Sequence, residues 1–241
     1  RYTLIFNGAI YNFKNLKKKL NKYGFKFKTT SDTEVLLASY IHWGKDLFNF
    51  IEGMYSFCIH DALEDTIFIA RDALGVKPLY YSYSKDFLIF SSEIKPILFS
   101  KDFVKEFNSD CIVDYFLYES PAHNKTFFKN IKQLPPAHYA LIDCKEKKIF
   151  SPICYWDITS QNCKKDLNKD DFNEYLVNSL TNAWETDVAS GLQLSGGVDS
   201  SLIAAIGSEY LWSRPTKTYS AIFDDSIRKY WKPRSEEKYI D

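Results

Sequence analysis

The sequence predicts an α+β domain that is followed by an α/β segment. Short aromatic or β-branched runs separated by turn residues occupy positions 54–92, which indicates antiparallel strands, and apolar residues at helical spacing precede them. Between residues 191 and 211, an apolar run, a glycine-rich turn and a second apolar run predict strand, loop and helix. We therefore expect a helix-flanked antiparallel sheet over about the first 150 residues and a strand–helix–strand pattern after it.

Periodicity and capping residues define the first elements. The run "RYTLIF" predicts a strand, and Leu16 and Leu20 then lie at helical spacing, with Gly24 as the helix stop. The run "FKFKTT" alternates between apolar and polar residues, which predicts another strand. Ser31 and Glu34 form a Ser-x-x-Glu capping box, which predicts a helix through "TEVLLASYIHWG".

The later elements are shorter. The runs "MYSFCIHD", "TIFIARD", "PLYYSYS" and "FLIFSS" predict antiparallel strands, and "EIKPIL" predicts a short helix that Pro96 limits. Two strands are expected around the charged turn at residues 145–148, and a polar linker over residues 161–171. After the linker, "FNEYLVNSLTNAW" and "SLIAAIGSEYL" predict helices, and "GLQL" and "TKTYSAIFDD" predict strands.

Composition disfavours several classes of protein. The 241 residues include 31 Lys+Arg and 31 Asp+Glu, so the formal net charge is zero and no basic excess favours nucleic-acid binding. The five cysteines form no C-x-x-C pair and have no histidine at metal-ligand spacing, so we interpret them as reduced thiols of a cytoplasmic protein. No run approaches the ~20 apolar residues of a membrane span, and the first residues lack a signal-peptide pattern.

The most specific motif is the turn "SGGVDS" at residues 195–200. Glycines let an anion approach the backbone, successive N–H groups form a nest, and the following helix adds its positive end. Ser195 and Ser200 supply hydroxyl donors, and Asp199 can hold a metal ion that bridges phosphates. The turn has neither the Lys of a Walker motif nor a G-x-G-x-x-G pattern. A plain glycine turn is the alternative, and the full string favours a pyrophosphate-binding loop.

Several motifs, taken together, resemble one enzyme family. The strings "NGAIYNF", "SDTEVLLASY", "IEGMYSFCIHD", "ARDALGVKPLYY", "FSSEIKPIL" and "KQLPPAHYALI" occur in this order, and "SGGVDS" resembles the pyrophosphate loop of the ATP pyrophosphatases. Over nearly its whole length, the chain resembles the glutamine-hydrolysing asparagine synthetases, including related amidotransferases of bacterial surface-polysaccharide clusters.

The resemblance implies two domains. Residues 1–155 would form a class II glutamine amidotransferase domain, an N-terminal-nucleophile-type sandwich of antiparallel sheets with flanking helices. Residues 168–241 would form the start of a parallel α/β ATP-pyrophosphatase domain. The implied reaction needs ATP and Mg²⁺ and converts aspartate, ATP and glutamine into asparagine, AMP, pyrophosphate and glutamate. The implied partners are these small molecules, without nucleic acid or membrane, and a homodimer is compatible with the resemblance.

The resemblance also assigns roles to individual residues. Asn7 and Gly8 match the oxyanion hole, where an amide and an N–H face a developing negative oxygen. Asp32 matches the carboxylate that holds the α-amino group of glutamine, and Asn12 matches a supporting position in that site. From residue types alone, Asp32 is a helix-capping residue and Asn7-Gly8 is a turn. The matched ATP-binding residues are Gln193, Ser195, Gly196, Gly197, Asp199, Ser200 and Ala221, with Gln193 and Ala221 near the adenine and Asp199 as a metal ligand.

The chain departs from the family pattern at several points. The family's nucleophile is an N-terminal cysteine whose own amine is the base, whereas this chain begins with Arg1 and none of its cysteines is N-terminal. Ala9 in "NGAIYN" stands where the family has Glu, which removes a carboxylate expected near the ammonium of glutamine. We therefore expect a chain truncated at both ends, with no catalytic nucleophile and no glutaminase activity of its own.

Other interpretations remain open. The chain is alternatively a non-catalytic remnant that binds nucleotide or docks on a partner, or an amidotransferase that acts on another carboxylate. A different ATP pyrophosphatase with the same loop is a third option, which the amidotransferase-like stretch disfavours. Arg71 and Asp72 are interpreted as an ion pair that braces a strand end, and the four histidines as surface or packing residues.

Overall fold

A computed structural model describes residues 1–84, 87–121, 124–146, 148–149, 151–160, 168–184, 188–212 and 216–222. The chain divides into two compact units, residues 1–163 and 164–241. Cys163, His123, linker residues 161–167 and the end of the last predicted strand, after residue 222, lie outside the described residues.

The first unit contains two antiparallel sheets. Its strands are β1 (Tyr2–Ile10), β2 (Gly53–Asp61), β3 (Thr66–Arg71), β4 (Tyr80–Tyr83), β5 (Leu88–Ser91), β6 (Lys132–Gln133), β7 (His138–Asp143), β8 (Lys148–Ile149) and β9 (Ile153–Cys154). The larger sheet has the order β1-β2-β3-β7-β8, with β9 also paired to β7, and the smaller sheet has the order β5-β4-β6. The predicted class, a mixed fold with antiparallel sheets and flanking helices, is confirmed.

In the described part of this unit, four α-helices accompany the sheets: α1 (Phe13–Lys22), α2 (Asp32–Trp43), α3 (Ile94–Leu98) and α4 (Ser109–Tyr118). Gly24 at φ 90° follows α1, and Gly44 at φ 57° ends α2, as their sequence positions predict. The helix α4 was not predicted, and it buries only Cys111.

The larger sheet lies between two apolar layers. One face carries Phe57 and Phe68, which pack with Leu20 of α1 and Leu36 of α2 in the main core. The opposite face carries Cys58, Ile69, Ala140 and Ile142, which pack with Tyr81 of the smaller sheet and with Leu79 just before it. Burying each large apolar side chain stabilises the fold by about 1.5–3 kcal/mol, so these layers fix the position of β1 and β2.

Two local predictions are wrong, and one carboxylate explains both. Residues 25–30 form no strand, because the carboxylate of Glu34 accepts the N–H groups of Lys28 and Thr29, at 2.9 Å and 2.8 Å. Glu34 therefore does not close the predicted capping box. Ser31 does cap α2, since its Oγ accepts the N–H of Thr33 at 3.2 Å.

The second unit contains a parallel strand pair with helices. The helix α5 (Lys169–Trp184) is followed by β10 (Gly191–Gln193), α6 (Val198–Ile206) and β11 (Lys217–Tyr219), and a short π-helix, Gly207–Leu211, continues α6. The strands β10 and β11 are parallel, with Gln193 opposite Tyr219. The predicted strand–loop–helix–strand order is confirmed. None of the described helices has the length and apolar character needed to cross a membrane.

Candidate functional site

The carboxyl-terminal half of β1 carries the first group of predicted site residues. Asn7 lies opposite Ser56 in the β1–β2 register, and its Nδ2 donates to Ser92 Oγ at 2.9 Å. Asn7 and Ser92 line a cavity of about 380 Å³ together with Ser56, Cys58 and Glu93. The side chain of Asn7 is therefore held by one hydrogen bond at the wall of a cavity that is large enough for a small ligand.

Gly8 is required by the close approach of two strands. Its φ is 154°, and a Cβ at this position would lie 2.1 Å from the carbonyl oxygen of Met54. Gly53 is in the reciprocal situation, since its Cβ would lie 2.1 Å from the carbonyl oxygen of Ala9. The predicted turn at Asn7-Gly8 is wrong, because both residues lie within a continuous antiparallel pair.

Asp32 joins the end of β1 to the start of α2. Its Oδ2 accepts the N–H of Ile10 at 3.0 Å, and its Oδ1 lies 3.4 Å and 3.5 Å from the hydroxyl oxygens of Ser31 and Thr33. The N-cap of α2 is Ser31, so the capping role predicted for Asp32 from residue type is wrong. The half-buried carboxylate of Asp32 is thus held next to the strand that carries Asn7 and Gly8.

Both ends of the Asn12 amide bind main chain. Its Nδ2 donates to the carbonyl oxygen of Phe50 at 2.8 Å, and its Oδ1 accepts the N–H of Glu52 at 3.1 Å. The N–H of Tyr11 also donates to the carbonyl oxygen of Glu52, at 2.7 Å. Asn12 therefore fixes the segment before β2 against the end of β1, which fits the supporting position predicted for it.

Asp72 binds several main-chain N–H groups, a role that the sequence did not predict. Its buried carboxylate accepts N–H groups from Tyr55, Leu74, Val76 and Lys77, at distances between 2.8 and 3.2 Å. This pattern holds the loop that follows β3. A carboxylate next to a strand end is the one sequence signal that points to such a role.

Arg71 stabilises the same loop in the complementary way. Its guanidinium donates to the carbonyl oxygens of Gly75, Lys77 and Leu134, at 2.7 to 2.8 Å, and burial lowers its pKa. The ion pair predicted between Arg71 and Asp72 is wrong, although both residues do brace the strand end. The bracing comes from hydrogen bonds between these two side chains and main-chain groups of the loop.

The second group of predicted residues lies at the carboxyl end of β10. The N–H of Leu194 donates to the carbonyl oxygen of Tyr219 at 2.9 Å, and Ser220 Oγ donates to the carbonyl oxygen of Leu194 at 2.7 Å. Gln193 ends β10, and Ala221 follows β11 by two residues. Because the strands are parallel, Gln193, Ala221 and the glycine-rich loop share one edge, where α/β folds bind ligands.

The glycine-rich loop joins a glycine of left-handed conformation to the start of a helix. Gly196 has φ 79°, a left-handed value that favours glycine, and Gly197 is the N-cap of α6. The first N–H groups of a helix lack partners within the helix, so the N–H groups that follow Gly197 are free of helical bonds at the amino-terminal end of α6. Asp199 is exposed in the first turn of α6.

Hydrogen bonds inside the loop involve its two serines. Ser195 and Ser200 place their Oγ atoms 3.1 Å apart, and Ser200 Oγ donates to the carbonyl oxygen of Gly197 at 3.1 Å. The N–H groups of Ser195 and Gly197 donate to serine hydroxyls at 3.3 Å and 3.4 Å. These distances exceed the usual N–H···O value of about 2.9–3.0 Å, so the bonds are weak enough to exchange for a better acceptor.

The cysteines and the possible metal ligands form no further site in the described part of the chain. The described cysteines are free thiols, with Cys58 and Cys111 buried, Cys144 intermediate and Cys154 exposed. The described residues contain no group of three or more His, Cys, Asp or Glu side chains that could hold a metal ion. Asp199 is therefore not part of such a group among them.

Comparison with known proteins assigns the chain to a family. A family model of the glutamine amidotransferase domain matches residues 1–156, and a model of asparagine synthase matches residues 171–240. The chain belongs to the glutamine amidotransferase domain family, because that model covers more than half of it, and the segment after this domain matches the asparagine synthase model.

The relatives have similar names. The chain is 32% identical over 255 residues to the glutamine-hydrolyzing asparagine synthetase 3 of Bacillus subtilis, covering 100% of this chain and 40% of that protein. Asparagine synthetase 2 of the same organism is 36% identical over 218 residues, covering 84% and 28%. A putative asparagine synthetase of Methanocaldococcus jannaschii is 32% identical, covering 92% and 43%. The chain therefore spans less than half the length of these relatives.

A solved structure also aligns with the chain. Glutamine phosphoribosylpyrophosphate amidotransferase from B. subtilis, complexed with ADP and GMP, aligns with a TM-score of 0.44 and 20% identity, covering 98% of this chain and 50% of that one. The family assignment does not depend on this alignment.

Proposed function

We propose that this chain belongs to an ATP-dependent amide ligase of the glutamine-hydrolysing asparagine synthetase type. Residues 1–155 would act on glutamine, and residues 168–241 would belong to the ATP-pyrophosphatase domain. The reaction would convert aspartate, ATP and glutamine into asparagine, AMP, pyrophosphate and glutamate. The geometry of the loop at residues 195–200 carries this proposal, and the two family matches and the names of the relatives support it.

The loop residues fit the phosphates of ATP. Gly196 and Gly197 leave the main chain accessible, and the N–H groups at the start of α6 favour negative charge. Ser195 and Ser200 would donate hydroxyls in place of their bonds to each other, and Gln193 and Ala221 would lie near the adenine. When bound, ATP supplies an adenylyl group that activates the acceptor carboxylate. Mg²⁺ would bind to Asp199 and to phosphate oxygens.

The residues at β1 fit the glutamine half of the reaction. The Asn7 amide carries two hydrogens, and only one is needed for Ser92 Oγ, so the second can donate to a developing oxyanion. Gly8 would add its main-chain N–H. Asp32, which is held on the N–H of Ile10, would accept the α-ammonium of glutamine, and Asn12 would keep the neighbouring segment in place.

A titration of Mg²⁺-ATP by calorimetry tests the nucleotide half. Gly197 has φ −75°, close to the value that a proline ring imposes, so Gly197→Pro deletes its N–H with little change in φ. We expect binding that this variant weakens at least tenfold. Ser208→Ala is the control, because its hydroxyl binds the carbonyl oxygen of Ala205 outside the loop. Equal affinities of the parent and Gly197→Pro would refute the assignment of the loop.

One observation favours a second candidate, a nucleotide-binding protein that does not hydrolyse glutamine. The half-buried Ala9 lies between Gly8 and Ile10, where the family pattern has Glu. A single charge-assisted hydrogen bond contributes about 1.5–3 kcal/mol, so glutamine would bind roughly tenfold to a hundredfold more weakly. In that case the chain would bind Mg²⁺-ATP normally, whereas glutamine would not bind at millimolar concentration.

A further inference from the structure

A basic cavity in the first unit shares no lining residue with the cavity at Asn7. It has a volume of about 390 Å³, within the range of small-molecule sites. Its lining combines three lysines, Lys125, Lys129 and Lys132, with the polar side chains of Asn124 and Gln133. None of the described lining residues is acidic. The cavity therefore offers cationic groups and amides to a negatively charged molecule.

Two of these lysines have no ion-pair partner among the residues that the structure describes. Lys129 forms an ion pair with Glu106, which neutralises it locally. For Lys125 and Lys132, no acidic side chain of the described part of the chain lies within ion-pair distance. Two ammonium groups on one cavity, each without an ion pair in the described chain, attract an anion more strongly than either group alone.

The segment that carries the lysines is held in a fixed conformation by Thr126. The buried Thr126 Oγ lies 3.0 Å and 2.9 Å from the carbonyl oxygens of Phe128 and Ile131 and accepts the N–H of Phe128 at 3.1 Å. The N–H of Gln133 donates to the carbonyl oxygen of Asn124 at 3.0 Å. Because the main chain is already ordered, a ligand need not immobilise it on binding.

The cavity also has an apolar part. The ring of Tyr81, which is buried, lines it together with Phe128 and Ile131. Lys132 lies directly opposite Tyr81 in the β4–β6 register. A charged group and an apolar surface therefore occur side by side, which suits a molecule that has both an anionic and an apolar part.

We propose that this cavity binds a small organic phosphate, with the phosphate at Lys125 and Lys132 and the apolar part near Tyr81. The site uses no residue of the proposed glutamine or ATP sites, so the proposal is independent of the proposed function. An ordinary solvated lysine surface is the competing explanation. Such a surface would attract anions without saturation and without preference for an apolar group.

Phenyl phosphate and inorganic phosphate are the probes, titrated at constant ionic strength. Binding is followed by the NMR shifts of the side-chain amides of Asn124 and Gln133. We expect saturable binding in which phenyl phosphate is at least threefold tighter, because only it reaches the apolar part. Absence of saturation, or equal affinity for the two probes, would overturn the proposal.

Matched double variants locate the site. Lys125→Gln/Lys132→Gln removes both free ammonium groups, and we expect it to weaken phenyl phosphate about tenfold. Lys18→Gln/Lys22→Gln changes the net charge by the same amount at two exposed positions of α1, and it should leave the affinity unchanged. Gly197→Pro should also leave it unchanged, which separates this cavity from the glycine-rich loop. Equal weakening by both double variants would mean that only overall charge matters, and would refute the site.

Discussion

The two candidate sites use their polar side chains differently. In the first unit, Asn12 and Asp72 bond main-chain groups at short distances, so their side chains determine where neighbouring segments lie. In the second unit, Ser195 and Ser200 bond mainly each other and the loop, at 3.1 Å or more. The comparison indicates a first site that is already assembled and a loop whose donors can be transferred to a ligand. Substitution of these four side chains should therefore affect mainly stability for Asn12 and Asp72 and mainly binding for Ser195 and Ser200.

The largest effect is expected for Asp72→Ala. Removal of the carboxylate leaves up to four main-chain N–H groups without their acceptor in a buried place. Each unsatisfied buried donor costs about 1–3 kcal/mol, and partial access to water reduces the sum, so we expect a loss of about 4 kcal/mol in the free energy of unfolding. Urea denaturation measures it.

The exposed Asp102 provides the control for this substitution. Asp102→Ala should change stability by less than about 0.5 kcal/mol, as surface substitutions usually do. If the two variants lose the same stability, the hydrogen bonds of Asp72 are not what orders the loop after β3.

Substitution of two glycines distinguishes the effect of a steric clash from the effect of backbone strain. Gly8→Ala brings a Cβ to 2.1 Å from a main-chain oxygen at φ 154°, whereas Gly24→Ala, at φ 90°, meets nothing within 4 Å. Backbone strain at such angles costs about 1–3 kcal/mol. We expect Gly24→Ala to cost about 1 kcal/mol and Gly8→Ala about 2–3 kcal/mol, because β1 and β2 must also move apart. Thermal unfolding of both variants tests the order, and the reverse order would contradict it.

Much of the fold was predictable because local signals agree with the tertiary structure. The strands β2 to β5 have aromatic or β-branched runs with turns between them, and Gly24 and Gly44 end the first two helices. The strand predicted at 25–30 is wrong because the side chain of Glu34, in the first turn of α2, accepts the N–H groups of Lys28 and Thr29 that a strand partner would need. The helix α4 was missed because its apolar residues do not follow one buried face.

The site was less predictable than the fold. The glycine-rich loop is contiguous in sequence, so its strand–loop–helix setting was evident from residues 191–211. Ser92, which orients Asn7, is 85 residues away in the chain, and nothing local indicates that the two meet. Likewise, the hydrogen bond from Ile10 to Asp32 depends on how α2 packs against β1. Contacts between distant elements require the packed structure.

An intermediate effect is expected on glutamine binding from Ala9→Glu. This variant restores a carboxylate beside Gly8 on the strand that holds Asn7. One added charge-assisted hydrogen bond should tighten glutamine binding about tenfold. Calorimetric titration with glutamine measures the gain. Ala9→Gln is the matched control, since it has the same shape without the charge, and an equal gain from both variants would exclude a role for the charge.

The smallest effect is expected from Cys58 as the pH rises. Burial, with a smaller contribution from Cys144, raises the pKa of the Cys58 thiol to about 12, above its ordinary value near 9. The unfolded chain therefore loses this proton first, so the thiol favours folding below pH 9 and this contribution is lost as the pH rises toward 12. Between pH 8 and pH 10, we expect Cys58 to account for about 1 kcal/mol of the fall in unfolding free energy.

Cys58→Ala should flatten the slope of unfolding free energy against pH, whereas Cys154→Ala, at an exposed position, should leave this slope unchanged. Identical slopes for the parent and Cys58→Ala would mean that this thiol titrates alike in the folded and unfolded chains, and the wall of the Asn7 cavity would then be open to water.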